Sequence, residues 1–373
     1  MYLHFQHYHL YKYTRIYGRY FPYSKLEKFY EEHPRLNKKI LGHSVNQLPI
    51  HLITIGSGSK KVFMWSQMHG NESTTTKAVL DMLCLFLEQK DEFTETILSN
   101  TTLYIIPMLN PDGANAYTRQ NSNDIDLNRD SQDLSQPESK ILRAAFEDIK
   151  PDLCFNLHDQ RTIFGVENTP YPATVSFLAP SADEKRTITQ PRKLAMELIT
   201  YMVDAIKEYI PNQIARFDDG FNINCIGDTF TYLGVPTVLF EAGHYPNDYE
   251  REITRKYIYL SLLSGLDAIS TKNITGEGYE PYFDIKNNEK SFFDILLKNV
   301  AFNEEATENE NEIGVLFKEN LQNNNIFLFP YVEKIGNLQN YHGHQTIDVN
   351  FINEKITKEE LLKADMQTIL KKL

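Results

Sequence analysis

The sequence predicts an α/β fold, a layered sheet with helices packed against it, followed by a small α+β domain. Three observations predict it. Residues 50–55, 61–66, 103–108, 153–157 and 237–240 are short runs rich in β-branched, aromatic and other apolar side chains, as strands are. Helix-like or loop segments separate these runs, several of them with apolar residues at helical spacing. After about Ser270 the texture changes and Asn, Glu and Lys become dense. Residues 1–270 therefore read as the main domain and 271–373 as an appendage.

The elements follow in order. Leu26, Phe29 and Tyr30 lie at helical spacing in a short amphipathic helix that Pro34 stops, because proline cannot continue the hydrogen-bond ladder. Strands 50–55 and 61–66 come next. Val79, Met82, Leu83, Phe86 and Leu87, three and four apart, predict a helix over 74–89. The loop between that helix and strand 61–66 then lies at a strand's carboxyl end, the usual ligand crevice of an open α/β sheet. Further helices are expected over 137–148, 191–209 and 249–269. In the appendage, residues 303–312 have almost no apolar content and read as a mobile acidic loop. Residues 326–331 and 346–352 read as strands, and Thr357-Lys358-Glu359-Glu360 resembles a capping box opening a helix to about Leu370.

Composition narrows the function. A chain of 373 residues with 41% hydrophobic and 12% aromatic content has ample material for a core. A net charge of −12 and a pI near 5.4, with no concentrated basic face, exclude a nucleic-acid partner. Three scattered cysteines, Cys84, Cys154 and Cys225, form no disulfide framework and are expected to be buried small hydrophobes. Residues 1–23 lack the apolar core of a secretory signal, and no stretch reaches the roughly eighteen apolar residues of a membrane span. A cytoplasmic chain with no membrane partner is expected; the sequence carries no signal for an oligomeric state.

The chemistry concentrates around Gln67-Met68-His69-Gly70-Asn71-Glu72. His69 and Glu72, with a lone His158 closing a downstream apolar run, supply two nitrogens and a carboxylate. Such a set suits a catalytic zinc, with a fourth position left for water. Asp126 is suited to accept a hydrogen bond from the distal nitrogen of a ligand histidine and fix its tautomer. Asn128 and Arg129 supply amide and guanidinium donors for a substrate carboxylate, which arginine can grip with two parallel bonds. Glu241 directly follows the apolar run 237–240, where a charged carboxylate is unfavourable without a partner or a task. The plain alternatives are surface ion pairs for Arg119 and Arg129 and a helix cap for Asp228. Two histidine clusters, His4/His7/His9 and His342/His344, lack an anchored carboxylate and are expected to face solvent.

The order His69-Gly70-Asn71-Glu72, Asn110-Pro111-Asp112-Gly113, Arg119, Asp126-Leu127-Asn128-Arg129, His158 and Phe240-Glu241 resembles the zinc metallocarboxypeptidases of the carboxypeptidase A type, over roughly residues 23–269. The resemblance implies a mixed central sheet flanked by helices and one zinc ion held by His69, Glu72 and His158. It also implies hydrolysis of the C-terminal amide of a peptide by zinc-activated water. Glu241 is then the general base, Arg119 supports the oxyanion, and Asn128 with Arg129 holds the substrate's free C-terminal carboxylate. Asp228 falls near the family's specificity pocket, where a carboxylate favours a basic or amine-bearing side chain such as that of diaminopimelate. The sequence departs from the family in one respect: no tyrosine matches the mobile tyrosine before the base, and neither Tyr232 nor Tyr245 can be assigned to it. Two alternatives stand beside this reading. One is a zinc deacylase of N-acyl amino acids resembling the succinylglutamate desuccinylases and aspartoacylases; the other is a noncatalytic carboxylate-binding relative.

Overall fold

The computed structural model describes residues 2–300 and 311–349. In chain order these form α1 (Tyr2–Gln6), α2 (Tyr8–Tyr11), α3 (Tyr23–Glu32), β1 (Lys38–His43), β2 (Pro49–Gly56) and β3 (Lys60–Ser66). Next come α4 (Thr74–Glu88), α5 (Glu92–Asn100), β4 (Thr101–Ile106), α6 (Pro111–Ala116), α7 (Pro137–Ile149) and β5 (Leu153–Asp159). The chain continues with β6 (Phe164–Val166), β7 (Val175–Leu178), α8 (Gln190–Ile206), β8 (Ile214–Arg216), α9 (Ile226–Tyr232), β9 (Thr237–Ala242) and α10 (Glu252–Thr271). The C-terminal part holds β10 (Asn288–Lys290), β11 (Phe292–Lys298), β12 (Glu312–Gln322), β13 (Asn325–Gly336) and β14 (His342–Asp348).

Eight strands make one mixed sheet in the order β1-β2-β4-β3-β5-β9-β7-β8. Its centre, β4, β3, β5 and β9, is parallel, while β1, β2 and β7 pair antiparallel with neighbours. Strand alternation sorts side chains to two faces. Val62 and Met64 of β3 join the large core against α4, α8 and α10, whereas Phe63 and Trp65 join a second core against α7 and α9. The centre is buried on both sides, which is why its strands read as continuous apolar runs.

The N-terminal segment is tied down by one buried carboxylate. Asp81 of α4 accepts bonds from Tyr8 Oη at 2.7 Å, the Tyr13 amide at 2.8 Å and Arg255 Nε of α10 at 2.7 Å. The expectation of a solvent-facing histidine cluster fails at His4, which is 6% exposed and lies 2.8 Å from Asp91 Oδ2. It fails also at His344, whose Nε2 is 2.8 Å from the Thr162 carbonyl and whose ring stacks on Phe292.

The C-terminal part contains a separate sheet in the order β13-β12-β11-β14 and the short strand β10, which pairs with β6. Apart from a 3-10 turn at Glu280–Asp284, the regular structure of its described portion is β. The acidic run at 303–310 and the helix expected over 357–370 lie outside the described residues. Glu312 opens β12 instead of ending a loop, because Ile313, Val315 and Leu316 behind it fill the core of this sheet.

Candidate active site and metal centre

The ligand loop leaves β3 through Gln67, which adopts the left-handed φ of 48°. Its side-chain amide donates to the carbonyls of Gly70 and Phe21, both at 2.9 Å, and holds the turn. Gly70 is required by close approach: a Cβ there would meet the Gly113 carbonyl carbon at 1.9 Å. The Asn-Pro-Asp-Gly motif explains that contact. Asn110 caps α6 by accepting from the Gly113 amide at 2.8 Å, and its Nδ2 donates to the Met68 carbonyl at 3.2 Å.

His69, Glu72 and His158 come together. Glu72 Oε1 lies 2.8 Å from His69 Nδ1, Oε2 lies 2.8 Å from His158 Nδ1, and the two Nδ1 atoms are 3.1 Å apart. One ligand atom from each falls within 4.8 Å of the others, the group of this kind found among the described residues. Asp126 Oδ1 sits 3.0 Å from His69 Nε2, which assigns the ring proton to that nitrogen and turns the Nδ1 lone pair inward. Lone pairs this close repel without a proton or a cation between them, so the donor set fits a divalent metal of the zinc type.

The electrostatics agree with that fit. Burial alone would lower the His69 pKa, but Glu72 and Asp126 raise it, as expected where positive charge is wanted. Burial pushes the Glu72 carboxyl up, yet the two histidines hold it well below the usual carboxylate range. For His158 burial wins and the pKa is lowered; its Nε2 is buried without a partner. Asp126 is held low by His69 and Arg119 against its own burial.

Glu241 stands beside this group by strand register. In the parallel β5/β9 pair His158 is opposite Glu241, so both side chains emerge on the same face one strand apart. Burial, then Glu72 and Asp159, push its carboxyl well above the ordinary value. Arg119 is half exposed; its Nε bonds Asp126 Oδ2 at 3.0 Å and its Nη1 lies 3.4 Å from Glu72 Oε1.

Asn128 and Arg129 belong to a short 3-10 turn, Leu127–Arg129, capped by Asp126. Asn128 Oδ1 accepts from the Ile226 amide at 2.9 Å, joining this turn to the start of α9. Exposed Arg129 reaches Cys225 Sγ at 3.0 Å. Cys225 is thus half-buried against an arginine, correcting the expectation of three buried cysteines. Asp228 follows on α9, 6% exposed, accepting from the Asn222 amide at 3.0 Å, and burial pushes its pKa up to about 6. Tyr232 is 64% exposed and Tyr245 packs on Tyr257.

Sequence reasoning missed Asp159 and Arg251. The Asp159 carboxylate accepts from the amides of Thr74 and Thr75 at 2.9 and 3.2 Å, and its own amide donates to Glu72 Oε2 at 3.2 Å. Arg251 donates to the carbonyls of Gln160 and Ala242, tying the ends of β5 and β9 together. A carboxylate one residue past a predicted ligand was the available signal for the first; the second had none.

The family model described as zinc carboxypeptidase matches residues 23–209. Carboxypeptidase SOL1 of Arabidopsis thaliana is 30% identical over 152 residues, 36% of this chain and 30% of that protein. Gamma-D-glutamyl-L-diamino acid endopeptidase 1 of Lysinibacillus sphaericus is 33% identical over 97 residues, 24% of each chain. The chain thus spans less than a third of the length of these curated relatives. In fold it is similar to a metallo-carboxypeptidase from Burkholderia cenocepacia, with a TM-score of 0.53 at 19% identity over 66% of this chain and 68% of that one. A carboxypeptidase A from Shewanella denitrificans gives a TM-score of 0.54 at 18% identity over 66% and 69%. With the family model covering 23–209 and the same mixed sheet carrying the His-Glu-His group, this chain belongs to the zinc carboxypeptidase family.

Proposed function

We propose that the chain is a zinc-dependent metallocarboxypeptidase that hydrolyses the C-terminal amide of a peptide. One observation carries the reading: the convergent nitrogen and oxygen atoms of His69, Glu72 and His158, with Glu241 on the neighbouring strand in register with His158. His69, Glu72 and His158 would hold the ion, which when bound supplies Lewis acidity at that point.

The rest of the reaction is assigned to the chain's own groups. Arg129 and Asn128 bind the substrate's terminal carboxylate at the open flank, which selects terminal residues over internal ones. Glu241 takes a proton from the attacking water and passes it to the leaving nitrogen. Its surroundings, which disfavour the ionised form, make it a better proton acceptor. The Arg119 guanidinium faces the oxyanion that develops in the transition state, and Asp126 orients both Arg119 and His69. Asp228 is proposed to sit in the side-chain pocket and to favour an amine-bearing terminal residue. The name of the Lysinibacillus relative, an endopeptidase at a diamino acid, is consistent with that choice.

The test is incubation with a mixed peptide library, products read by mass, alongside a Glu241→Gln variant and metal analysis. Loss of single C-terminal residues is expected, with turnover in the variant falling by about 10²–10⁴-fold at unchanged zinc content. A strong preference for N-acyl amino acids over peptides transfers the assignment to a deacylase. A zinc-free protein, or full activity in the variant, overturns the mechanism.

A further inference from the structure

We infer that the C-terminal sheet and the N-terminal segment close the acyl side of the cleft, so the substrate class is short. It comprises N-acyl amino acids and short peptides, whose few residues before the scissile bond must end at that cover. The inference rests on the reading above and adds a length limit to it.

The argument starts from strand parity. On β5 and β9 the residues Phe155, Leu157, Val238, Phe240 and Ala242 join the core against α4, α8 and α10, while Cys154 joins the opposite one. His158 and Glu241 therefore emerge toward the α7/α9 face, and Asp159 toward the α4/α10 face, where it meets the first amides of α4. Arg119, Asn128, Arg129 and the start of α9 all lie on the first face, and this flank is open: the Arg119 side chain is 41% exposed. A chain anchored there by its carboxylate passes the ligand group and leaves over the strand ends toward the second face.

That exit is covered. Asp159, Gln160 and Arg251 are 8%, 5% and 1% exposed. Above them Arg19 pairs with Glu319 of β12 at 2.5 Å, and Tyr117 Oη donates to the other Glu319 oxygen at 2.6 Å. Asn288 of β10 donates to Gln160 Oε1 at 2.8 Å, and Phe317 packs on Tyr249. The cover thus comes from the N-terminal segment, the start of α10 and the C-terminal sheet. Within it two arginines, Arg19 and Arg251, and two carboxylates, Asp159 and Glu319, act on one another. These four groups are already paired with one another within the cover, so it acts as a wall and not as a subsite.

The test is a substrate series sharing one C-terminal residue: N-acetyl amino acid, dipeptide, tripeptide, pentapeptide and decapeptide, given to the zinc-loaded full chain. We expect kcat/KM to be at least about tenfold lower for the pentapeptide and decapeptide than for the tripeptide. Glu319→Ala, and Glu319→Gln as the milder variant should the first fail to fold, should narrow that ratio while leaving the short substrates within about twofold. A decapeptide cleaved as well as the tripeptide overturns the length limit and leaves the peptidase reading intact; an unchanged ratio in the variants overturns the role of the cover. No turnover on any member overturns the peptidase reading, and the length limit with it.

Discussion

Asp126→Asn is the most informative single substitution, because one carboxylate holds both the His69 ring and Arg119. Oδ1 lies 3.0 Å from His69 Nε2 and Oδ2 accepts from Arg119 Nε at 3.0 Å. Both contacts carry charge assistance when the partner is cationic, and Oδ1 also accepts from the Asn128 amide at 2.9 Å. An asparagine keeps one acceptor and presents an NH₂ group where the other was. If its oxygen stays on His69, a donor faces the Arg119 donor; if it turns, His69 loses the bond that fixes its tautomer. Loss of such an orienting partner typically weakens metal affinity about 10–100-fold. That corresponds to about 1.4–2.8 kcal/mol of binding free energy. Competition against a chromogenic zinc chelator measures the affinity directly and does not depend on turnover. A melting curve alongside separates metal loss from unfolding. A zinc Kd within about twofold of wild type in a folded Asp126→Asn protein would refute the claim that this carboxylate sets the His69 ring.

Three other outcomes are expected. Arg119→Ala should lower kcat by about 10²–10³-fold with little change in KM, measured on a short peptide, since its charge is needed in the transition state and not for docking. Arg255→Met leaves the fully buried Asp81 carboxylate without its arginine, and urea unfolding should show a loss of about 3–5 kcal/mol. For Asp228 the folded pKa of about 6 exceeds the ordinary value of 3.8, so the fold favours its protonated form. The stability it contributes is full below pH 3.8 and is lost as pH rises through 6. Asp228→Asn should therefore stabilise the protein at pH 8 relative to wild type, by at most about 3 kcal/mol, and leave it unchanged near pH 3.5; equal effects at both pH values would contradict the assignment.

What could be read from the sequence was what local chemistry writes. The central strands are apolar runs because both faces are buried, and α4 shows its helical spacing, so both were legible. His69 and Glu72 were legible because a short loop holds them three residues apart, and Asp126 because it neighbours Asn128 and Arg129. The short α5 was overlooked although its signal was present: Asp91 and Thr94 form a reciprocal cap at Glu92–Asn100. Strands β7 and β8, of four and three residues, are too short for a periodic signal. The Arg19–Glu319 pair joins positions 300 residues apart, and no local pattern can announce it. His4 misled for a related reason: its partner Asp91 comes from a distant loop, so nothing beside it in the chain marked it as buried.

The rung that sets His158 opposite Glu241 also bears on how this chain can vary in length. Deleting or inserting one residue within 153–158 or 237–241 would put Phe240 or Ala242 opposite His158 and send the imidazole, if β5 is changed, or the carboxylate, if β9 is, through to the other side of the sheet. The hairpin tip at Asn323 and Asn324, held in left-handed turns at the surface, carries no such constraint. An indel scan should accordingly find near-total intolerance across those two stretches and broad permissiveness at the tip.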